Sequence, residues 1–88
     1  MTSPKNQNAE VLFELIHNST IDRKYILKTT GILNLTARIS NLRNDYDIHV
    51  LCTRKKVLNK YGRKISYGLW SLKDKAKAIE IYEKVNHN

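Results

Sequence analysis

The sequence predicts an α+β fold in which three helices precede a two-stranded hairpin and a fourth helix, in the order α-α-α-β-β-α. Apolar residues recur at helical spacing in three segments before residue 45 and again after residue 73. Residues 48–52 and 65–72 instead alternate as strands do. The segment that joins these strands carries six cations and no acid between Thr53 and Lys64. The position of this charge, on a hairpin behind three helices, is the most informative feature of the chain.

The size and charge of the chain limit the classes of protein to which it can belong. Eighty-eight residues suffice for one domain with a modest core, so we expect a single domain over residues 1–88. A net charge of +8 favours a polyanionic partner, namely DNA, RNA or an anionic membrane surface. No apolar run is long enough to span a bilayer, and the N-terminus lacks the apolar core of a signal peptide. We therefore expect a cytoplasmic protein.

The first helix follows a polar segment, residues 1–7, that we expect to be frayed. Its apolar stripe is Ala9, Val11, Leu12, Leu15 and Ile16. Three residues that favour caps and turns, 17–19, are expected to end it.

A helix-turn-helix is predicted over residues 22–44. Its first helix runs from about residue 22 to 29 and is expected to bury Ile26 and Leu27. Gly31 can adopt the left-handed conformation that ends this helix, and Asn34 is a good N-cap for the next. The stripe of that next helix is Leu35, Ile39 and Leu42.

The hairpin is predicted over residues 48–72. In its first strand the alternation places Ile48, Val50 and Cys52 inward. In its second strand either residues 65, 67 and 69 or residues 66, 68, 70 and 72 face inward. We prefer the second set because it buries Trp70 and Leu72. The eight residues 55–62 are long for a hairpin loop, and we expect them to be mobile without a ligand.

The last helix is predicted over residues 73–86, beginning at Ser71 or Asp74. Its apolar stripe is Ala78, Ile81, Tyr82 and Val85. The simplest role for this helix is to cover the core beside the first helix. The alternative is a homodimer contact through the C-terminal helix, on a surface of Ile79, Ile81, Tyr82 and Val85.

The second helix of a helix-turn-helix presents the face opposite its core stripe to the major groove. That face and its flanks are small and polar, and they supply the candidate DNA-binding residues Asn34, Thr36, Ala37, Arg38, Ser40, Asn41 and Arg43. Ala37 suits a thymine methyl group, Asn41 suits adenine and Arg38 suits guanine. The competing interpretation is that these side chains are solvated or, for the arginines, paired with nearby aspartates.

The hairpin supplies a second set of candidates, suited to phosphate contacts or to the minor groove. These are Arg54, Lys55, Lys56, Lys60, Tyr61, Arg63 and Lys64. The competing interpretation is a solvated loop whose charge serves solubility.

Two stretches also carry a resemblance to a known family. Residues 35–43, Leu-Thr-Ala-Arg-Ile-Ser-Asn-Leu-Arg, precede a turn and a strand, and residues 67–72 read Tyr-Gly-Leu-Trp-Ser-Leu. The chain resembles, over residues 9–72, the small winged helix-turn-helix domains of bacteriophages and mobile elements. The resemblance implies that Arg38 is a groove residue and that Arg43 is a phosphate or structural arginine. The chain departs from that pattern in the turn at residues 44–47 and in its additional C-terminal helix.

These observations favour a double-stranded DNA-binding protein that acts as a transcriptional regulator or a recombination accessory factor. If it is phage-encoded, its location is the bacterial host cell. The alternative is a protein-interaction module whose basic wing grips an acidic host protein. RNA binding and a membrane-surface role have less support, because an aromatic sheet face and a basic amphipathic helix are both missing. No catalytic arrangement, cofactor motif, small-molecule substrate or metal-ligand spacing is visible in the sequence. We therefore do not expect an enzyme.

Overall fold

A computed structural model describes residues 1–87 of the chain. Its elements follow the predicted order α-α-α-β-β-α, which confirms the α+β topology. They are α1 (Gln7–His17), α2 (Arg23–Thr30), α3 (Leu35–Asp45), β1 (Val50–Leu58), β2 (Lys64–Leu72) and α4 (Lys75–His87). The two strands pair in antiparallel register as one hairpin.

The helices begin and end where the sequence provides capping groups. The Asp22 and Asn34 side chains accept hydrogen bonds from the backbone N–H groups three residues on, at 2.7 and 3.3 Å. Asp74 does the same at the start of α4, at 3.1 Å, which settles the choice between Ser71 and Asp74. Gly31 ends α2 with a φ of 76°, the left-handed conformation expected there. The observed helix-turn-helix therefore lies within one residue of its predicted bounds.

The core lies between the helices and the base of the hairpin. The predicted stripes of α1, α3 and α4 are buried, with Ile16 and Ile81 only partly so. The expectation for Leu27 was wrong, because this side chain is 45% exposed. Since α2 has only two turns and directs Ile26 into the core, the next residue lies about 100° around the helix and faces away.

The hairpin packs on the core only at its base. Val50 and Leu72 are buried and lie opposite each other, and Trp70 packs against the core while partly exposed. The preferred inward set of the second strand is therefore confirmed. The prediction for Cys52 was wrong, because its side chain is exposed. Cys52 pairs with Trp70 where the hairpin leaves the core, and Trp70 rather than Cys52 packs against the core there.

The basic run belongs to the strands rather than to a long loop. Each strand has nine residues, and the turn between them comprises residues 59–63. The expected eight-residue mobile loop was therefore wrong. The cations of residues 54–56 continue the hydrogen-bonded ladder of β1, so strand pairing extends the hairpin well past the core.

A short bridge ties the hairpin to the helices. The backbone of Ile21, between α1 and α2, pairs with that of Trp70, with N–H to oxygen distances of 2.9 and 2.8 Å. Ile21 is also buried. The free edge of β2 is thus paired at one residue, next to the start of the helix-turn-helix.

The N-terminal segment is hydrogen-bonded to α4, so the expectation of a frayed end was wrong. The Lys5 N–H donates to Asn86 Oδ1 at 2.6 Å, and Asn86 Nδ2 donates to the Ser3 carbonyl at 2.9 Å. The Tyr82 hydroxyl donates to the Thr2 carbonyl at 2.8 Å. The hydrogen bonds join residues about eighty positions apart in sequence, and apolar periodicity does not predict polar contacts of this kind.

The face of α4 offered for a dimer contact is largely used within the chain. Tyr82 and Val85 are fully buried against the helical core, whereas Ile79 stays 49% exposed. The structure therefore gives α4 the simpler of its two expected roles, which is to cover the core beside α1.

Candidate nucleic-acid interface

The strand register sorts the hairpin cations into two faces. Side chains alternate along a strand, so the face that packs on the core at Val50 and Leu72 continues outward through every second residue. We call this the inner face. Its cations beyond the core are Arg54, Lys56 and Lys64, the last opposite Leu58. Lys55 lies on the other face, opposite Tyr67.

All seven candidate residues of the hairpin are exposed. Among residues 1–87 the one ion pair joins Lys77 Nζ to Asp47 Oδ2 at 3.4 Å, away from the hairpin. The sequence has no acid between residues 48 and 73. Six cations therefore face solvent without a carboxylate partner, an arrangement whose self-repulsion a bound polyanion relieves.

A groove of about 1040 Å³ separates the helix-turn-helix from the hairpin. Arg23 and Lys24 line it from α2, Thr36 from the start of α3, and Arg54 from the inner face. The Arg23 Nη2 donates to the Thr36 hydroxyl at 3.0 Å, which holds this guanidinium beside α3. The apolar part of the walls is formed by Leu27, Ile65, Tyr67 and Trp70, and the remaining lining residues are Asp22, Ser66 and Gly68. The groove thus combines cations from two elements, α2 and β1, with an exposed residue at the start of α3.

The solvent-facing surface of α3 is narrower than the sequence suggested. Thr36, Ser40 and Asn44 are exposed along one line at helical spacing, with Ala37 half-buried beside them. Asn44 Nδ2 donates to the Ser40 hydroxyl at 3.1 Å. Asn34, exposed at the N-cap, uses its side-chain oxygen to accept the Ala37 N–H.

Arg38 and Asn41 lie against α1 rather than on that surface. Arg38 Nη1 donates to Gln7 Oε1 at 3.4 Å, and its buried Nε has no partner among residues 1–87. Asn41 Nδ2 donates to Asn8 Oδ1 at 3.2 Å. Both residues are on the flank of α3 that the first turn of α1 covers. A helical wheel shows which residues share the core stripe of α3, but it does not show that α1 covers the flank beside that stripe.

Arg43 is bonded to the protein's own backbone. Its Nε and Nη2 donate to the Val50 carbonyl at 3.1 and 2.7 Å. Of the two roles that the resemblance implied for this arginine, phosphate contact and structure, the structure shows a structural contact. The competing interpretation, in which Arg38 or Arg43 pairs with Asp45 or Asp47, is not seen within residues 1–87, where the one ion pair joins Asp47 to Lys77.

Arg23 and Lys24 are groove residues that the sequence reasoning did not select. A signal for them was present, because both lie in the first turn of α2, where cations oppose the helix dipole. Cations at a position that disfavours them indicate another use for the charge.

The other titratable residues are candidates for metal ligation or for a shifted pKa. Within residues 1–87 no group of three or more His, Cys, Asp or Glu side chains is placed to hold a metal ion. A hydrogen bond donated to Glu14 raises the pKa of the Tyr25 hydroxyl, at an O–O distance of 2.6 Å. Burial raises the pKa of Tyr82. Neither tyrosine lines the groove.

Comparison with known proteins adds no relative. No family model, no curated protein and no solved structure matches the chain. None of the helices in the described part of the chain is long and apolar enough to cross a membrane.

Proposed function

We propose that this protein is a winged helix-turn-helix protein that binds double-stranded DNA. The observation that carries the proposal is the groove in which Arg54 of the inner face and two cations of α2 meet the exposed start of α3. The element order and the bridge from Ile21 to Trp70 support the winged-helix assignment, because they fix a hairpin beside a helix-turn-helix. The role of phage or mobile-element regulator, or of recombination accessory factor, rests on the resemblance of residues 9–72.

The proposed contacts divide between base edges and phosphates. An α-helix such as α3 is about 10–12 Å across with its side chains, which fits a major groove about 12 Å wide. Thr36, Ala37 and Ser40 are the base-reading candidates that face solvent or lie beside the exposed line. Methyl groups of Thr36 and Ala37 suit thymine, and the Ser40 hydroxyl can donate or accept. Arg23, Lys24 and the inner-face cations then contact phosphates on either side of the groove.

Charge reversal on the two faces of β1 tests this binding mode. The variant Arg54→Glu with Lys56→Glu reverses two inner-face cations, and Lys55→Glu reverses a neighbour on the opposite face. Each lost phosphate contact reduces the slope of log affinity against log salt by about 0.9. We expect the double variant to bind duplex DNA more weakly, with a slope smaller by about 2. Lys55→Glu should keep a slope close to that of the unaltered protein.

The salt titration uses fluorescence anisotropy with a labelled duplex. If Lys55→Glu and the inner-face variant lost the same amount of DNA affinity, the assignment of DNA contacts to the inner face would be contradicted. Unchanged DNA affinity in the double variant would contradict DNA binding by the hairpin altogether.

The alternative function is capture of an acidic protein by the basic hairpin. The unpaired cations support it as well as they support DNA binding. Competition separates the two: poly-glutamate at equal charge should displace the protein from duplex DNA poorly if α3 reads bases. Equal displacement by duplex DNA and poly-glutamate would favour the alternative.

A further inference from the structure

The turn at the end of the hairpin is hydrogen-bonded through the Asn59 side chain and through its own backbone. Asn59 Oδ1 accepts hydrogen bonds from the N–H groups of Tyr61 and Arg63, both at 2.9 Å. The Asn59 N–H donates to the Arg63 carbonyl at 2.9 Å, and Gly62 supplies the positive φ of 81° that the turn needs. The tip is therefore preorganised.

This turn presents apolar side chains to solvent. Leu58 is 64% exposed and Tyr61 is 81% exposed. None of the residues 54–66 is buried, so this part of the hairpin has no core of its own to cover them. Lys60 Nζ lies 5.1 Å from the centroid of the Tyr61 ring. Exposed apolar groups at the end of a projecting, ordered arm gain free energy only if a partner buries them.

The charges around the tip restrict what that partner can be. Lys56, Lys60 and Lys64 surround Leu58 in sequence or across the strand pair, and no acid occurs between residues 48 and 73. The partner must therefore be anionic on its surface and apolar just beneath it. Duplex DNA has this chemistry, since phosphates line the rims of its minor groove and stacked bases lie inside.

We propose that the hairpin tip is a wedge that bends DNA: Leu58 enters a base step from the minor groove and Tyr61 packs beside it. This inference rests on the proposed DNA binding and adds an architectural function to it. Apolar wedges of this kind unstack one step and kink the duplex by about 20–90°. The inner-face cations follow the hairpin from Arg54 at the groove to Lys64 beside the tip. DNA bound by α3 can therefore extend along these cations to Leu58. Flexible pyrimidine–purine steps such as TA are the preferred sites.

The test measures bending and binding on the same duplex with the full chain. The probe is a duplex of about 25 base pairs with several TA steps, labelled with a donor and an acceptor at its ends. A second duplex carries 2-aminopurine beside a TA step, whose fluorescence rises on unstacking. We expect the unaltered protein to increase energy transfer and to brighten 2-aminopurine.

The variants separate the wedge from the charge. Leu58→Ser should lose both optical changes while its affinity at low salt falls less than about tenfold, because every cation remains. Tyr61→Ser should reduce both changes. The control Ile79→Ser removes an exposed apolar side chain from α4 and should bend DNA as the unaltered protein does. Circular dichroism checks that all three variants are folded.

The remaining outcomes overturn the inference in distinguishable ways. Binding without bending, or normal bending by Leu58→Ser, would exclude the wedge but leave DNA binding intact. Absence of any duplex binding would exclude the proposed function and the wedge together. Binding to phosphatidylserine vesicles that Leu58→Ser abolishes, without DNA bending, would assign the tip to an anionic membrane surface instead.

Discussion

Arg43, near the end of α3, donates hydrogen bonds from both Nε and Nη2 to the carbonyl oxygen of Val50, at 3.1 and 2.7 Å. Val50 is the first residue of β1, so this contact ties the start of the hairpin to the end of α3. The same hairpin is tied through β2 to Ile21, before α2. The angle between helix and hairpin is therefore set by two hydrogen-bonded anchors.

Replacing Arg43 should destabilise the fold while changing DNA affinity only indirectly. Hydrogen bonds from charged groups contribute about 1.5–3 kcal/mol, and the exposure of Arg43 lowers this, so we expect Arg43→Ala to cost about 1–2 kcal/mol. Urea denaturation measures the loss. The matched control Arg63→Ala, at the exposed tip, should change stability by less than about 0.5 kcal/mol. Equal stability of the two variants would mean that the Val50 contact contributes nothing.

Sequence preference should follow the exposed line of α3 rather than its flank. Thr36→Ala and Ser40→Ala should change the sequences recovered by selection from random duplexes, at a cost of about 1–3 kcal/mol for a preferred base. Asn41→Ala should leave the selected sequence as it was, since Asn41 bonds to Asn8 on α1. If Asn41→Ala alone altered the selected sequence, the placement of this flank away from the bases would be refuted.

Asn86 should contribute strongly to stability although it is polar and close to the C-terminus. It is buried, and its amide is bonded to the backbone of Lys5 and Ser3. Each hydrogen bond contributes about 0.5–1.5 kcal/mol, so we expect the loss of these two in Asn86→Ala to lower the free energy of unfolding by about 1–3 kcal/mol. It should also speed proteolysis of the first seven residues. The neighbouring exposed residue provides a control, and His87→Ala should behave as the unaltered protein.

Stability should fall as the pH rises above 10. Burial, with a smaller contribution from the Glu83 charge, raises the pKa of Tyr82 above its ordinary value of 10.0. The folded state therefore favours the neutral phenol. Its stabilising contribution is complete below pH 10 and is lost as the pH rises through the higher folded-state pKa. Urea denaturation at pH 8 and at pH 11 should show that the free energy of unfolding falls less between these pH values for Tyr82→Phe than for the unaltered protein. Identical losses would show that Tyr82 does not control this dependence.

The sequence predicted the features that depend on local periodicity and capping. The stripe of α3, the cap at Asn34 and the left-handed Gly31 all follow from short-range rules, and all were confirmed. Cys52 was misplaced because alternation shows which residues share a face but not where the core beneath that face ends. The length of the hairpin loop was predicted to be greater than it is, because a run of cations does not by itself show where strand pairing ends. Cations can take part in cross-strand pairing when their side chains face solvent.

The candidate site was harder to predict than the fold. The exposed cations of the hairpin could be selected from composition alone, and all of them are accessible. Arg38 and Asn41 were ranked with the base-reading residues because only the core stripe of α3 was visible in sequence. Their contacts with Gln7 and Asn8 join positions more than thirty residues apart. Arg23 and Lys24 enter the site only through the tertiary arrangement that places α2 across from β2.

If the protein binds DNA as we propose, the two anchors of the hairpin, at Val50 and at Trp70, have a consequence for how distances along the duplex are set. With both strands attached to the helical body, the span from Ser40 to Leu58 does not depend on a flexible linker. A rigid span corresponds to a constant number of base pairs, and DNA rotates by a full turn about every 10–10.5 base pairs. Helix and tip would therefore engage the duplex only where their two contact points have the correct rotational phase.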